Sequence, residues 1–315
     1  MKGKSADENK SNRQLLIAFV AIGTLALIAL VFVLLFSALP AFGGNEIAVI
    51  PLKGEITNQK DFFSDSLTAD EIVGLIDKAD KDPSVGAILI DIDSPGGEVF
   101  ASKQIVFKLR EAKKPTFSYI ESVGASGAYY VAAATDYIMA DEDSLTGSIG
   151  AVWVLNDFQK LFDNLGIKVT ILKDGKFKAI GSPFKELTDE EEQMLQSIIS
   201  QTAQGFKQDV LEFREGKLSA AEFNAVADGR ILTGKQALEK NLVDELLHTK
   251  EKSFERVAEI AGIKDHAVVY FGSGEKSFFS IFFESGKAFG AGFVSSLTGY
   301  NVSAADPLDN GAEFR

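Results

Sequence analysis

The chain has 315 residues, 46% of them hydrophobic, which is enough to bury a full-sized core and excludes a disordered tail or a disulfide-stapled scaffold. Its net charge of −13 leaves no basic face for phosphates, so nucleic acid is excluded as a partner. With no cysteine anywhere, a cysteine nucleophile, a thiolate-held metal and disulfides are ruled out, and no cofactor or metal site is expected.

From Gln14 to Asn45 there is no charged residue. A helix over Leu15 to Phe36 would rise about 33 Å at 1.5 Å per residue, enough to span a bilayer. That run exceeds the apolar part of a cleavable signal peptide, and Leu39-Pro40-Ala41 is a poor cleavage site. An uncleaved signal anchor over 14–38 is therefore expected. Lys2, Lys4, Lys10 and Arg13 outweigh Asp7 and Glu8 and hold residues 1–13 in the cytoplasm. The chain is then expected to be a single-pass cell-membrane protein with everything after residue 45 outside the cytoplasm.

Glu46 to Leu52 reads as the first strand, and Thr68-Ala69-Asp70-Glu71 is a capping box opening a helix to about Lys78. Val85 to Asp93 is an almost unbroken branched apolar run, the pattern of a strand buried on both faces. It runs straight into the turn Ser94-Pro95-Gly96-Gly97. Helical spacing returns over Val99 to Ala112, a strand over Pro115 to Ile120, a helix over Ser126 to Ala134 and a strand over Tyr137 to Ala140. A helix from about Asn156 to Leu165 and a strand from Lys168 to Lys173 follow. Thr188-Asp189-Glu190-Glu191 starts a long amphipathic helix to about Arg214, and caps at Ser219 and Thr233 introduce shorter helices. Strand and helix alternate throughout, which predicts an α/β core. The tail from about Ser277, rich in phenylalanine, carries Glu284 and Lys287, which prevent a second spanning helix, and is expected to pack on its own domain or a sister subunit.

Ser126 stands between Ala125 and Gly127 at the start of a helix, where a hydroxyl is uncrowded and free backbone N–H groups can face an anion, as acyl transfer requires. It is the candidate nucleophile. The two histidines, His248 and His266, have no motif-like setting, which disfavours a Ser-His-Asp triad. Lys178 is the stronger base candidate: its neighbours Phe177, Ala179, Ile180 and Pro183 are apolar, and an amine held among apolar groups gives up its proton more readily. Spacing alone does not choose among Lys173, Lys176 and Lys178. Ser148, in the loop Thr146-Gly147-Ser148-Ile149-Gly150, is either a lysine-orienting hydroxyl or a plain turn residue, and Gly97 either a tight turn or an oxyanion donor.

Taken in order, Ser94-Pro95-Gly96-Gly97, Gly124-Ala125-Ser126-Gly127-Ala128-Tyr129-Tyr130, Thr146-Gly147-Ser148-Ile149-Gly150, Lys178 before Gly181-Ser182-Pro183, and Ala227-Asp228-Gly229-Arg230 with Thr233-Gly234 resemble the signal peptide peptidase A family. The resemblance implies a Clp-protease/crotonase-like fold over 46–252, a membrane anchor, and 253–315 as a carboxyl-terminal helix and apolar tail of unassigned role. It implies a Ser-Lys serine endopeptidase that degrades signal peptides after their release, with Ser126 as nucleophile, Lys178 as general base, Gly97 and Gly127 as oxyanion donors and Ser148 orienting the lysine. Asp228-Gly229-Arg230 would be structural. Short chains of this kind are expected to form homo-oligomeric rings whose sites join serine and lysine from neighbouring subunits. The alternatives are a stomatin-associated membrane protease of the same fold and a non-catalytic ring scaffold.

Overall fold

Two apolar runs lie side by side at the centre of the sheet. β1 (Glu46–Lys53) and β2 (Val85–Ser94) pair in parallel, Ala48 opposite Ile88 and Ile50 opposite Ile90. Their side chains alternate between two cores: Ala48, Ile50, Ile88 and Ile90 enter one, Ile47, Val49, Ala87 and Leu89 the other. Burial on both faces is why these strands are apolar at nearly every position. The computed structural model describes residues 44–60 and 66–272. The anchor expected over 14–38 and the tail from 277 lie outside them, and no helix among the described residues is long and apolar enough to cross a membrane.

On the first face lies α1 (Ala69–Lys81), opened by the expected capping box: Thr68 Oγ1 accepts from the Glu71 N–H at 3.3 Å and Glu71 accepts from the Thr68 N–H at 2.7 Å. Ile72 and Ile76 are fully buried at helical spacing, each worth about 2 kcal/mol in apolar area removed from water. α2 (Val99–Glu111) packs beside α1, and α3 (Gly127–Ala133) is buried along its whole length.

β3 (Thr116–Ala125) pairs in parallel with β2. Its first part also pairs with β4 (Tyr137–Ala140) and its end with β5 (Leu145–Gly147). The sheet runs β6-β5-β3-β2-β1-β8, with β6 (Ile231–Thr233) antiparallel to β5, and β7 (Glu245–Leu246) beside β4. The second face is covered by α8 (Lys250–Ala261), whose Val257 and Ala258 meet Val49 and Leu89 in one core. β8 (Ala267–Tyr270) then pairs with β1. The boundary expected at residue 252 thus falls inside α8, and the sheet continues beyond it.

Between β5 and the long helix α5 (Asp189–Phe213) the chain forms a thinly packed arm over residues 151–187, with one short helix, α4 (Gln159–Asn164). The strand expected from Lys168 to Lys173 does not form. An isolated strand leaves its N–H and C=O groups unpaired, and no neighbouring strand lies beside this segment among the described residues. Leu172 is 92% exposed. α6 (Ala220–Asn224) and α7 (Gly234–Glu239) carry the Ser219 and Thr233 caps read from the sequence.

Candidate active site

All the glycine-rich turns of the sheet's carboxyl end meet at Ser126. β3 ends at Ala125 and α3 begins at Gly127, so Ser126 is the single hinge residue between a strand and a buried helix. It adopts φ 54° and ψ −121°, a left-handed conformation that costs a residue with a Cβ on the order of 1–3 kcal/mol and persists only where its surroundings enforce it. Two hydrogen bonds do so: the Ser126 N–H donates to Gly147 O at 2.9 Å, and its C=O accepts from the Tyr130 N–H at 3.0 Å. Thr146 Oγ1 donates to Gly124 O at 2.7 Å and fixes the last turn of strand from the β5 side.

Gly96 packs against this hinge at φ 98°, and a Cβ there would lie 2.6 Å from Gly127 N and 2.9 Å from Ser126 Cβ. Gly97 is pressed just as closely on Ile56, whose N–H donates to Gly96 O at 2.9 Å and whose C=O accepts from the Glu98 N–H at 2.8 Å. Those two bonds face Gly97 away from Ile56. Its nitrogen lies 3.3 Å from where a Cβ on Gly127 would stand, so the two amides are neighbours, and neither N–H has an acceptor among the described residues. Two free N–H groups beside a half-buried serine are what a developing oxyanion needs.

The Thr146 to Gly150 loop is held from the other side. Ser148, at φ 51°, donates its N–H to Arg230 O at 2.8 Å. Asp228 clamps the Arg230 guanidinium through Nε at 2.8 Å and Nη2 at 2.7 Å, and that charge-assisted bond lowers the Asp228 carboxyl to about 2.

Residues 108–264 match the model of peptidase family S49. A putative protease of Methanocaldococcus jannaschii is 39% identical over 295 residues, covering 90% of this chain and 94% of that one. The chain belongs to peptidase family S49. It is a serine protease. A putative signal peptide peptidase SppA of Enterococcus faecium is 29% identical over 213 residues, 66% of this chain and 61% of that one. Among solved structures, a membrane-bound stomatin-specific protease in complex with a substrate peptide has a TM-score of 0.49 at 16% identity, over 78% of this chain and 99% of that one.

In this S49 peptidase the residues expected at the site divide. Ser126, Gly97, Gly127 and the Ser148 loop come together at one end of the sheet. Lys178 does not join them within the chain: it is exposed in a run of turns from Gly175 to Ser182, and among the described residues its amine makes no hydrogen bond to Ser126 or Ser148. Of the two other lysines of that stretch, Lys176 pairs with Glu190, and Lys173 donates to Lys176 O at 2.5 Å. His248 is 73% exposed beside Glu142, and neither histidine is bonded to Ser126.

Sequence reasoning missed the supports behind the serine. Tyr130, one turn after it, donates its hydroxyl to Asp209 of α5 and packs on Phe206 at 4.8 Å between ring centres. Burial and that carboxylate hold the Tyr130 hydroxyl protonated well above its ordinary range. Behind the sheet, Asp91 gathers Lys53 of β1 and Lys250 of α8, and Asp93 accepts from the Val123 N–H. A pair of aspartates closing an otherwise apolar strand was the available signal for them.

Proposed function

We propose that this S49 peptidase is a membrane-anchored endopeptidase with the Clp-protease/crotonase-like arrangement that cuts released signal peptides by a Ser126-Lys178 dyad. The observation that carries the reading is the enforced left-handed Ser126 beside the free N–H groups of Gly97 and Gly127. In the reaction Ser126 Oγ attacks the scissile carbonyl while the neutral Lys178 amine takes its proton. The carbonyl oxygen gathers negative charge against the two N–H groups. The C–N bond then breaks, the Lys178 ammonium returns the proton to the leaving amine, and a water deprotonated by Lys178 releases the acyl group from Ser126. Ser148 accepts a hydrogen bond from the lysine and keeps it aimed.

Lys178 is exposed in the single chain, so apolar cover for its amine has to come from a second copy. The arm that bears it displays Val152, Trp153, Val154, Leu165 and Leu172, each more than half exposed, an apolar surface that suits burial against another subunit. A heterologous contact repeated around a ring would set the lysine of one subunit beside the serine of the next. The charge-free run over 14–38 supports the anchor, and the likeness to a signal peptide peptidase supports the substrate class.

The test is labelling of the full chain with a fluorophosphonate and mapping of the modified residue. Modification of Ser126 with loss of peptide cleavage is expected. A label on another serine in active protein would overturn the assignment.

A further inference from the structure

β3 slips in register against β2 near its end. Ile92 stands opposite Ile120 and Ser94 opposite Gly124, so β2 advances two residues while β3 advances four. The excess is a bulge over Glu121, Ser122 and Val123. It coincides with the point at which β3 changes neighbour, from β4 through Ile120 to β5 from Val123. Only Gly124 and Ala125 separate it from Ser126.

A bulge takes ladder partners from the residues inside it. Here a side chain replaces one of them, and charged side chains gather on the Glu121 carboxylate. The Val123 N–H donates to Asp93 Oδ1 at 3.2 Å. Glu121 Oε2 receives Lys53 Nζ at 2.8 Å and Lys250 Nζ at 3.3 Å. Both ammonium groups also grip Asp91, Lys53 at 3.2 Å from Oδ1 and Lys250 at 2.9 Å from Oδ2, and the Asp91 side chain is only 4% exposed. Lys53 closes β1 and Lys250 opens α8, so four charges on four elements converge on the bulge. The Lys53 hydrogen bond holds the Glu121 carboxyl below its usual range; burial alone would lower the Lys250 ammonium, but Asp91 and then Glu121 carry it above its ordinary value.

We propose that Asp93, Glu121 and Lys250 are positioning residues for Ser126: they set the bulge in β3, and the bulge sets where the serine stands against Gly97 and Gly127. The proposal rests on Ser126 as nucleophile. A misplacement of about 1 Å at the reacting atom can cost about 10²-fold in rate, and the two residues between the bulge and Ser126 pass a shift on with little slack.

The experiment measures kcat and KM on a fluorogenic peptide, thermal stability, and the fluorophosphonate labelling rate of the full chain. Asp93→Ala should lower kcat and labelling by about 10- to 100-fold with KM within about twofold, because it alters attack more than binding. Asp93→Asn, which keeps an oxygen for the Val123 N–H, should retain most activity. Glu121→Gln, at the exposed rim of the cluster, should lower kcat by about tenfold without lowering stability at the assay temperature. Lys250→Met should do likewise and Lys250→Arg restore much of the rate. Wild-type kcat in Asp93→Ala and Glu121→Gln would overturn the proposal, as would equal losses in Asp93→Asn and Asp93→Ala. Wild-type label mapping away from Ser126 would instead overturn the nucleophile reading on its own.

Discussion

The amide nitrogen of Gly97 lies 3.3 Å from the point where a Cβ on Gly127 would stand, although Gly97 ends one turn and Gly127 opens the helix α3. The turn at Gly96 packs on Gly127 so closely that a side chain on Gly96 has no room. Gly96→Ala should therefore cost about 10²-fold or more in kcat. Its Cβ would meet Gly127 N at 2.6 Å and Ala125 O at 2.8 Å, and φ 98° is strained for alanine. Fluorophosphonate labelling should slow in parallel. A variant that labels at the wild-type rate would show that Gly96 does not hold the donors in place.

Ser126→Ala should abolish cleavage while leaving the fold and any assembly unchanged. It deletes one oxygen from a half-buried position that makes no side-chain hydrogen bond among the described residues, and loss of a nucleophile that acts as part of a unit reaches about 10⁶ in kcat. Peptide turnover within tenfold of wild type, measured on protein free of contaminating protease, would move the nucleophile elsewhere.

Much of this was written plainly in the chain. Thr68, Thr188 and Thr233 announce their helices because a capping box is a local bargain between a hydroxyl, a carboxyl or amide, and two N–H groups three residues apart, needing nothing from the rest of the fold. β1 and β2 are legible because burial on both faces leaves an unbroken apolar run. The end of β3 is not. Glu121 and Ser122 break the apolar pattern, Gly124 and Ala125 are too small to show a period, and the pairing that makes them strand comes from β5, 22 residues on. The stretch 168–173 misleads in the opposite sense: it has strand composition but no strand beside it among the described residues. Lys178 could be named from its motif, yet its separation from Ser126 within one chain follows from how the arm leaves the sheet, which no local pattern records.

Arg214, 1% exposed, grips Asp244 through two nitrogens at 2.7 and 3.1 Å. Burial of Asp244 would raise its carboxyl, but the Arg214 bond and charge, then Lys217, hold it below the ordinary 3.8. A folded pKa below the unfolded one contributes stability above the unfolded value and loses it as pH falls through the folded one. Thermal stability should thus drop as pH falls below about 4. Asp244→Asn, stranding a buried guanidinium, should lose about 3–5 kcal/mol near neutrality and show a flatter decline in acid. Parallel wild-type and variant curves of melting temperature against pH would remove Asp244 from the acid transition.

Where Lys178 acts is open to a direct count. Lys178→Met should be as inactive as Ser126→Ala, and Lys178→Arg should not rescue it, since a guanidinium remains charged and cannot serve as base. Now mix Ser126→Ala and Lys178→Ala chains equally and let them reassemble. If the site joins the serine of one subunit to the lysine of the next, a working site needs a Lys178→Ala chain on one side of the contact and a Ser126→Ala chain on the other. Under random mixing each has a chance of about one half, so roughly a quarter of the sites should recover. Recovery is read as kcat per subunit, with mixed assemblies verified by mass. Zero activity in demonstrably mixed rings would mean that serine and lysine come from one chain. The exposed arm would then have to fold back onto its own sheet to deliver Lys178, and the shared-site ring would be wrong.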